Sequence, residues 1–145
     1  DDEVEKLLRH PATQVALADA GAHVNQICDA AYPTYLLGHW VREKGAFSLE
    51  EAVGMLAARP ASLFQLEGRG VLREGSRADL VVFDPATVHA GVPYRVSDLP
   101  GGGSRLVADA VGVEWVFVGG EPVREAGADT DAQPGEVVRG PGGAR

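Results

Sequence analysis

The spacing of apolar residues changes near Gly68, and that change limits what the chain can become. Before it the spacing is helical: Val4, Leu7 and Leu8, then Leu36, Leu37, Trp40 and Val41, then Leu49, Ala52, Val53 and Leu56 recur every three or four residues. After it, Leu80–Phe83 and Val113–Val118 are short runs rich in β-branched and aromatic side chains. The second run pivots on Gly119-Gly120, a two-residue link suited to a tight hairpin. A chain divided in this way is neither a helical bundle nor a β-sandwich throughout. The pattern predicts an α/β first part and an all-β second part, neither complete alone.

Local signals set the expected boundaries. Acidic residues open the segment from Asp2 to Leu8, where a helix dipole favours them, and Pro11 closes it. The run QVALAD, ending at Asp19, reads as a short strand. If extended, it places Val15, Leu17 and Asp19 on one face and small alanines on the other, the near-continuous apolarity of a strand covered on both sides. Pro33 marks the entrance of the next helix and Gly45 its exit. Ser48 and Glu51 form a capping box for a third helix, which Arg59-Pro60 is expected to break; PASLFQL then adds a turn or two that buries Leu63, Phe64 and Leu66. A turn is expected at Glu74-Gly75, no regular element between Gly91 and Arg105, and fraying beyond Thr130.

At 145 residues the chain is the size of one domain, with room for a core. Its formal charge of -8 argues against a basic groove tracking phosphates, so no nucleic-acid partner is expected. No window approaches the roughly 20 consecutive apolar residues that span a bilayer, so no membrane partner is expected either. Cys28 is the only cysteine, which excludes an intramolecular disulfide and a Cys-rich zinc module and fits a reducing, cytoplasmic setting.

Chemistry concentrates in VALADAGAHV, residues 15–24. Asp19 stands where an apolar segment runs out, followed by the permissive pair Ala20-Gly21 and then His23. The local sequence leaves two readings of Asp19 open: a turn or N-cap aspartate accepting backbone hydrogen bonds, or a carboxylate delivered to a reaction centre. His23 reads either as a structural loop histidine or as a residue facing substrate; a helical Asp19–His23 metal pair is disfavoured by Gly21 and the apolar run before it. Elsewhere His39 reads as a surface or interfacial histidine, His10 and His89 as loop residues, Trp40 and Trp115 as fillers, and Cys28 as a small buried residue. The Gly101–Gly103 run lacks the helix start and lysine of a phosphate loop.

Five strings in succession carry a family resemblance: ADAGAH at 18–23, YLLGHWVREKGAFSLEEAV at 35–53, ARPASLFQL at 58–66, GVLREGSRADLVVFDPATV at 70–88 and VEWVFVGGEPVREAG at 113–127. Together they resemble the C-terminal end of the amidohydrolase superfamily, most closely its D-aminoacylase or N-acyl-D-amino-acid deacylase branch. The resemblance implies a hydrolase dependent on a divalent metal, expected to be zinc, built on a (β/α)8 barrel with a small β-sandwich domain assembled from both ends of the full chain. Residues 1–67 are then expected to be the C-terminal end of the barrel, with Val15–Asp19 as its last strand. Residues 68–129 become the C-terminal part of the small β-domain, and 130–145 a flexible tail. Barrel enzymes place their chemistry at the C-terminal ends of strands. By resemblance, Asp19 is the catalytic acid/base and a metal ligand, and His23, in the loop over the barrel mouth, binds substrate.

A barrel of this type needs roughly 250 residues, so the chain is expected to be the C-terminal portion of a longer enzyme, inactive alone. The family's His-x-His and other ligands have no counterpart here. A catalytic zinc ordinarily takes three protein ligands, so the metal is not expected to be held by this stretch alone. The expected partners are a small-molecule amide substrate, the remainder of the barrel and, through orphaned strand edges, further copies of the chain. Where D-aminoacylases carry His-Pro-Arg in the loop after the strand-end aspartate, this chain has Tyr32-Pro33-Thr34. The leading expectation is therefore a linear amide hydrolase, an N-acyl amino acid deacylase, with chirality left open. A cyclic amidase of hydantoinase or dihydroorotase type is the rival enzyme; a non-catalytic assembly module is the alternative should this chain be the complete gene product.

Overall fold

Helices precede strands along residues 1–16 and 18–138, the part of the chain that the computed structural model describes. Helices α1 (Asp2–Arg9), α2 (Tyr32–Tyr35), α3 (Leu49–Val53) and α4 (Arg59–Leu63) all lie before Gly68. Strands β1 (Leu80–Phe83), β2 (His89–Ala90), β3 (Tyr94–Leu99), β4 (Gly103–Val107), β5 (Ala110–Val111), β6 (Val113–Val118), β7 (Glu121–Glu125) and β8 (Ala128–Asp129) all lie after it. The chain divides into two units. None of the described helices is long and apolar enough to cross a membrane.

The first unit takes residues 1–16, 48–83 and the described residues from 113 onward. In α1 the acidic residues Asp2, Glu3 and Glu5 occupy the first turn, and Arg9 pairs with Glu5 at 2.8 Å, a surface pair of small energetic weight. The expected capping box opens α3: the Ser48 hydroxyl accepts the Glu51 N–H at 3.1 Å, and the Glu51 carboxylate accepts the Ser48 N–H at 2.8 Å. The helical run does not break at Arg59-Pro60. It widens into a π-helical segment over Gly54–Ala58 and passes without interruption into α4, with Pro60 just after the widened turns. Ala52, Met55 and Ala61 form its buried face. A Cβ on Gly70 would stand 2.7 Å from both the Ala57 carbonyl oxygen and the Ala61 Cβ, so at this point the packing is small against small. Leu63 and Phe64, expected to be buried, are instead turned outward and 62% and 59% exposed.

The sheet of this unit is antiparallel in the order β1-β6-β7-β8, which leaves β1 at an edge among the described strands. Leu80 pairs with Phe117 and Val82 with Trp115, and the Trp115 and Phe117 rings stack with centroids 5.8 Å apart. Gly119 and Gly120, at φ 60° and 89°, make the expected tight turn from β6 to β7. Asp79 ties the turn down. Its carboxylate accepts the Gly119 N–H at 2.8 Å and pairs with the Arg69 and Arg77 guanidiniums, and Arg77 reaches on to Glu136 at 2.7 Å. Burial pushes the Asp79 carboxyl up, but the Gly119 N–H, Arg69 and Arg77 together outweigh it and hold the group below its usual range. Of the expected tail, residues 130–138 carry no helix or strand, yet Glu136 is held by these arginines. Residues 139–145 lie outside the described residues.

The second unit takes residues 18–47 and 84–112. Pro33 sits in the first turn of α2, which continues as a π-helical segment over Leu36–Glu43 and ends before Gly45 at φ 60°, the expected entrance and exit. Leu36, Leu37, Trp40, Phe47 and Val88 form the core, with the Trp40 and Phe47 rings edge to face at 6.5 Å. The Arg42 guanidinium donates to the Val88 carbonyl and fastens the helical segment to the chain leading into β2. β2 pairs with β5, and β3 with β4, both antiparallel. The β3–β4 hairpin overturns the expectation of no regular element between Gly91 and Arg105. Its Gly and Pro residues gather in one turn, Pro100–Gly102, with Gly101 and Gly102 at positive φ, while the flanking residues pair.

The expected strand over Val15–Asp19 does not form. Val15, Ala16, Ala18 and Asp19 belong to no strand, and Leu17 lies outside the described residues. An apolar run becomes a strand only when a neighbour takes up its backbone donors and acceptors, and none of the described strands pairs with this one.

Candidate functional site

Asp19 and His23 stand on the loop that leads from residue 18 to α2, and both are exposed. The sequence makes this loop turn twice. Gly21 takes up the left-handed region at φ 97°, and the Asp19 carbonyl accepts the Ala22 N–H at 3.1 Å. His23 is itself left-handed at φ 48°, a conformation uncommon outside glycine but enriched among His, Asn and Asp. Its carbonyl accepts the N–H groups of Gln26 at 2.7 Å and Ile27 at 3.0 Å, which closes the second turn.

Three long-range hydrogen bonds fix the loop. The Asp19 N–H donates to Oδ2 of Asp29, ten residues on, at 2.9 Å. The Leu106 N–H donates to the Val24 carbonyl at 2.7 Å, and Arg95 Nη2 donates to the Asn25 carbonyl at 2.9 Å while its Nη1 is held by Ser104 Oγ at 2.9 Å. The middle of the loop is thus strapped to the β3–β4 hairpin, and its start to Asp29. Asp29 is half-buried; its second oxygen, Oδ1, is buried and accepts no hydrogen bond from the described residues.

An exposed carboxylate on a loop fixed in this way can take and return a proton with little backbone movement, and an imidazole on the adjoining turn can offer a hydrogen bond. Among the described residues no three His, Cys, Asp or Glu side chains gather closely enough to hold a metal ion. Asp19 has no co-ligands here, so the residues present do not by themselves fit a metal centre. A cleft of about 470 Å³ in the second unit is lined by Cys28, Asp29, Tyr32, Tyr35, Gly91 and Val92 among others, and its walls are mostly apolar. His39 is half-buried, stacked on Tyr35 at 4.9 Å with Nδ1 3.1 Å from Glu43 Oε2.

Sequence reasoning missed Asp29, Arg95 and Ser104. Asp29 reaches back ten residues and Arg95 seventy, and no local periodicity marks either partner. The one local signal is an acidic residue set among Ile27, Cys28, Ala30 and Ala31, just ahead of the helix entrance at Pro33.

The family model described as Amidohydrolase family matches residues 2–124. The D-aminoacylase of Alcaligenes xylosoxydans xylosoxydans is 33% identical over 140 residues, 95% of this chain and 27% of the relative. The N-acyl-D-glutamate deacylase of the same organism is 31% identical over 141 residues, 96% of this chain and 27% of the relative. A solved D-aminoacylase structure, described as defining a novel subset of amidohydrolases, superposes with a TM-score of 0.54 at 35% identity, covering 69% of this chain and 19% of that one. Another D-aminoacylase structure with the same figures concerns the functional role of that enzyme's binuclear metal centre. A shorter stretch of 42 residues is 43% identical to the dihydroorotase of Endomicrobium trichonymphae, covering 29% of this chain and 10% of the relative. The chain spans about 27% of the length of the deacylases it matches. Its α/β fold is similar to the D-aminoacylase structures, and with a family match running from the start of α1 into β7, the chain belongs to the amidohydrolase family.

Proposed function

We propose that this chain is the C-terminal portion of a metal-dependent amidohydrolase that cleaves a linear N-acyl amino acid. The observation that supports this most is its likeness to D-aminoacylase over 95% of its length, the Asp19 loop included. In this reading residues 1–67 finish a (β/α)8 barrel, residues 68–129 contribute to a small β-sandwich domain and residues 130–145 form a tail. The rest of the polypeptide supplies the ladder neighbours that Val15–Asp19 lacks and the donors that a divalent ion, zinc by expectation, requires. The setting is cytoplasmic.

Asp19 is assigned the proton transfer. Hydrolysis attaches the oxygen of water to the acyl carbon; the proton that water gives up passes to Asp19 and from there to the amine nitrogen as the C–N bond breaks, leaving a carboxylate and an amino acid. A positioned carboxylate contributes about 10²- to 10⁴-fold in such a step. His23, on the next turn, is assigned to binding the substrate as a hydrogen-bond donor. The unpaired side of edge strand β1 is assigned to the rest of the polypeptide or, in this chain by itself, to a second copy; a concentration-independent monomer in sedimentation would count against the second copy.

The dihydroorotase stretch supports a second reading, a cyclic amidase. The two separate in one assay. The polypeptide encoded in frame with this chain is given N-acetyl-D-amino acids, their L-enantiomers, hydantoin and dihydroorotate, and free amine is measured alongside ring opening. Release of a D-amino acid is the expected result. Ring opening alone moves the assignment to the cyclic amidase, and inactivity on every substrate in the metal-loaded protein leaves the assembly module.

A further inference from the structure

We propose that Asp29 is the positioning residue for Asp19, holding the main chain of that residue so that its carboxylate is presented in one direction; this rests on the reading of Asp19 as the proton-transferring group. The contact runs to the Asp19 N–H itself, at 2.9 Å, and so constrains the backbone from which the Asp19 side chain departs. Asp29 is in turn set by the start of α2, where the Tyr32 N–H donates to the Asp29 carbonyl at 3.2 Å. That helical run carries Leu36, Leu37 and Trp40 into the core. The main chain of Asp19 is thereby tied to a helical run that is packed into the core of its unit.

One feature separates this from an ordinary loop tie. The bonds from Leu106 to Val24 and from Arg95 to Asn25 already hold the middle of the loop, so the Asp29 bond acts on Asp19 rather than on the loop as a whole.

Amide hydrogen exchange of this chain tests the positioning without reference to activity. In Asp29→Ala the Asp19 amide is expected to exchange about tenfold faster, the factor a charge-assisted bond supports, while the Gln26, Ile27 and Leu106 amides keep their protection. Asp29→Asn, which retains an acceptor oxygen, is expected to restore most of the Asp19 protection. Unchanged exchange at Asp19 in Asp29→Ala overturns the proposal, as does loss of protection across the whole unit, which would make Asp29 a residue of general stability. In the polypeptide that hydrolyses N-acyl amino acids, Asp29→Ala is expected to lower kcat about tenfold with KM and metal content within twofold of the parent, and Asp29→Asn to recover it. An unchanged kcat beside a loosened Asp19 amide overturns the catalytic consequence. If the parent hydrolyses no amide, the functional reading fails while the exchange result still decides whether Asp29 holds Asp19.

Discussion

A Cβ added to Gly38 would lie 2.9 Å from the Val88 carbonyl oxygen, 3.0 Å from the His89 Cβ and 3.1 Å from the His89 Cα. The first neighbour is backbone, it already receives the Arg42 guanidinium, and the Val88 side chain is only 1% exposed, so the segment has little room to retreat. Two effects compete in Gly38→Ala. Alanine is the better helix former by about 1 kcal/mol, whereas forcing a methyl group into a packed contact costs about 1–3 kcal/mol, and a shifted Val88 carbonyl weakens its bond to Arg42 by up to about 1 kcal/mol more. Overpacking outweighs propensity over most of this range, with an expected net destabilisation of about 0–3 kcal/mol, centred near about 1.5 kcal/mol. Gly54 provides the control, because it too is helical but a Cβ there meets nothing within 4 Å. Gly54→Ala should keep only the propensity gain, about 0.5–1 kcal/mol. Urea unfolding of the three proteins side by side should move the two midpoints in opposite directions, and thermal midpoints should follow at about 4 °C per kcal/mol. Equal stabilisation by both substitutions would refute the close approach of the Gly38 turn to Val88.

Ser48→Ala leaves the Glu51 N–H without its cap and should cost about 1 kcal/mol in the same unfolding assay, with Ser48→Asp recovering most of the loss. Asp79→Asn removes the charge that Arg69 and Arg77 share and should cost about 1–2 kcal/mol at pH 7, discounted for partial exposure. The sign with pH follows from a folded-state pKa below the unfolded value of about 3.9: the contribution of Asp79 is fully present above that value and is lost as pH falls through the lower folded one. Parent and Asp79→Asn should therefore differ in urea midpoint at pH 7 and converge below about pH 4. A gap that stays constant down to pH 2.5 would contradict the ion-pair assignment.

Elements whose stability is settled within a few residues could be read directly from the sequence. The capping box at Ser48 and Glu51, the helix entrance at Pro33 and the Gly119-Gly120 turn each depend on local backbone geometry, and each formed as expected. Three expectations depended on what lies across space. A proline inside an α-helix removes a bond and so reads as a breaker, but the run widens to a π-helix just ahead of Pro60 and continues through it. The Gly- and Pro-rich composition of residues 91–105 masked a hairpin whose partners are held by ladder bonds and by the Asp98–Arg105 pair. Hydrophobicity alone assigns Leu63 and Phe64 to a core, yet both turn outward, and it is Ala61 of that turn that packs, against the close approach of Gly70. For the site, the identity of Asp19 and His23 was legible and their surroundings were not. Asp29, Arg95 and Leu106 reach the loop from 10 to 82 positions away along the chain, distances at which sequence spacing carries no signal.

Replacing the Asp19 carboxylate by an amide of the same shape tests the central claim most directly. In the metal-loaded polypeptide that contains this chain, Asp19→Asn should lower kcat for an N-acetyl-D-amino acid by at least about 100-fold, the smaller end of general acid–base contributions, with its fold intact by circular dichroism. A kcat within a few-fold of the parent at equal metal content would contradict the assignment of proton transfer to Asp19.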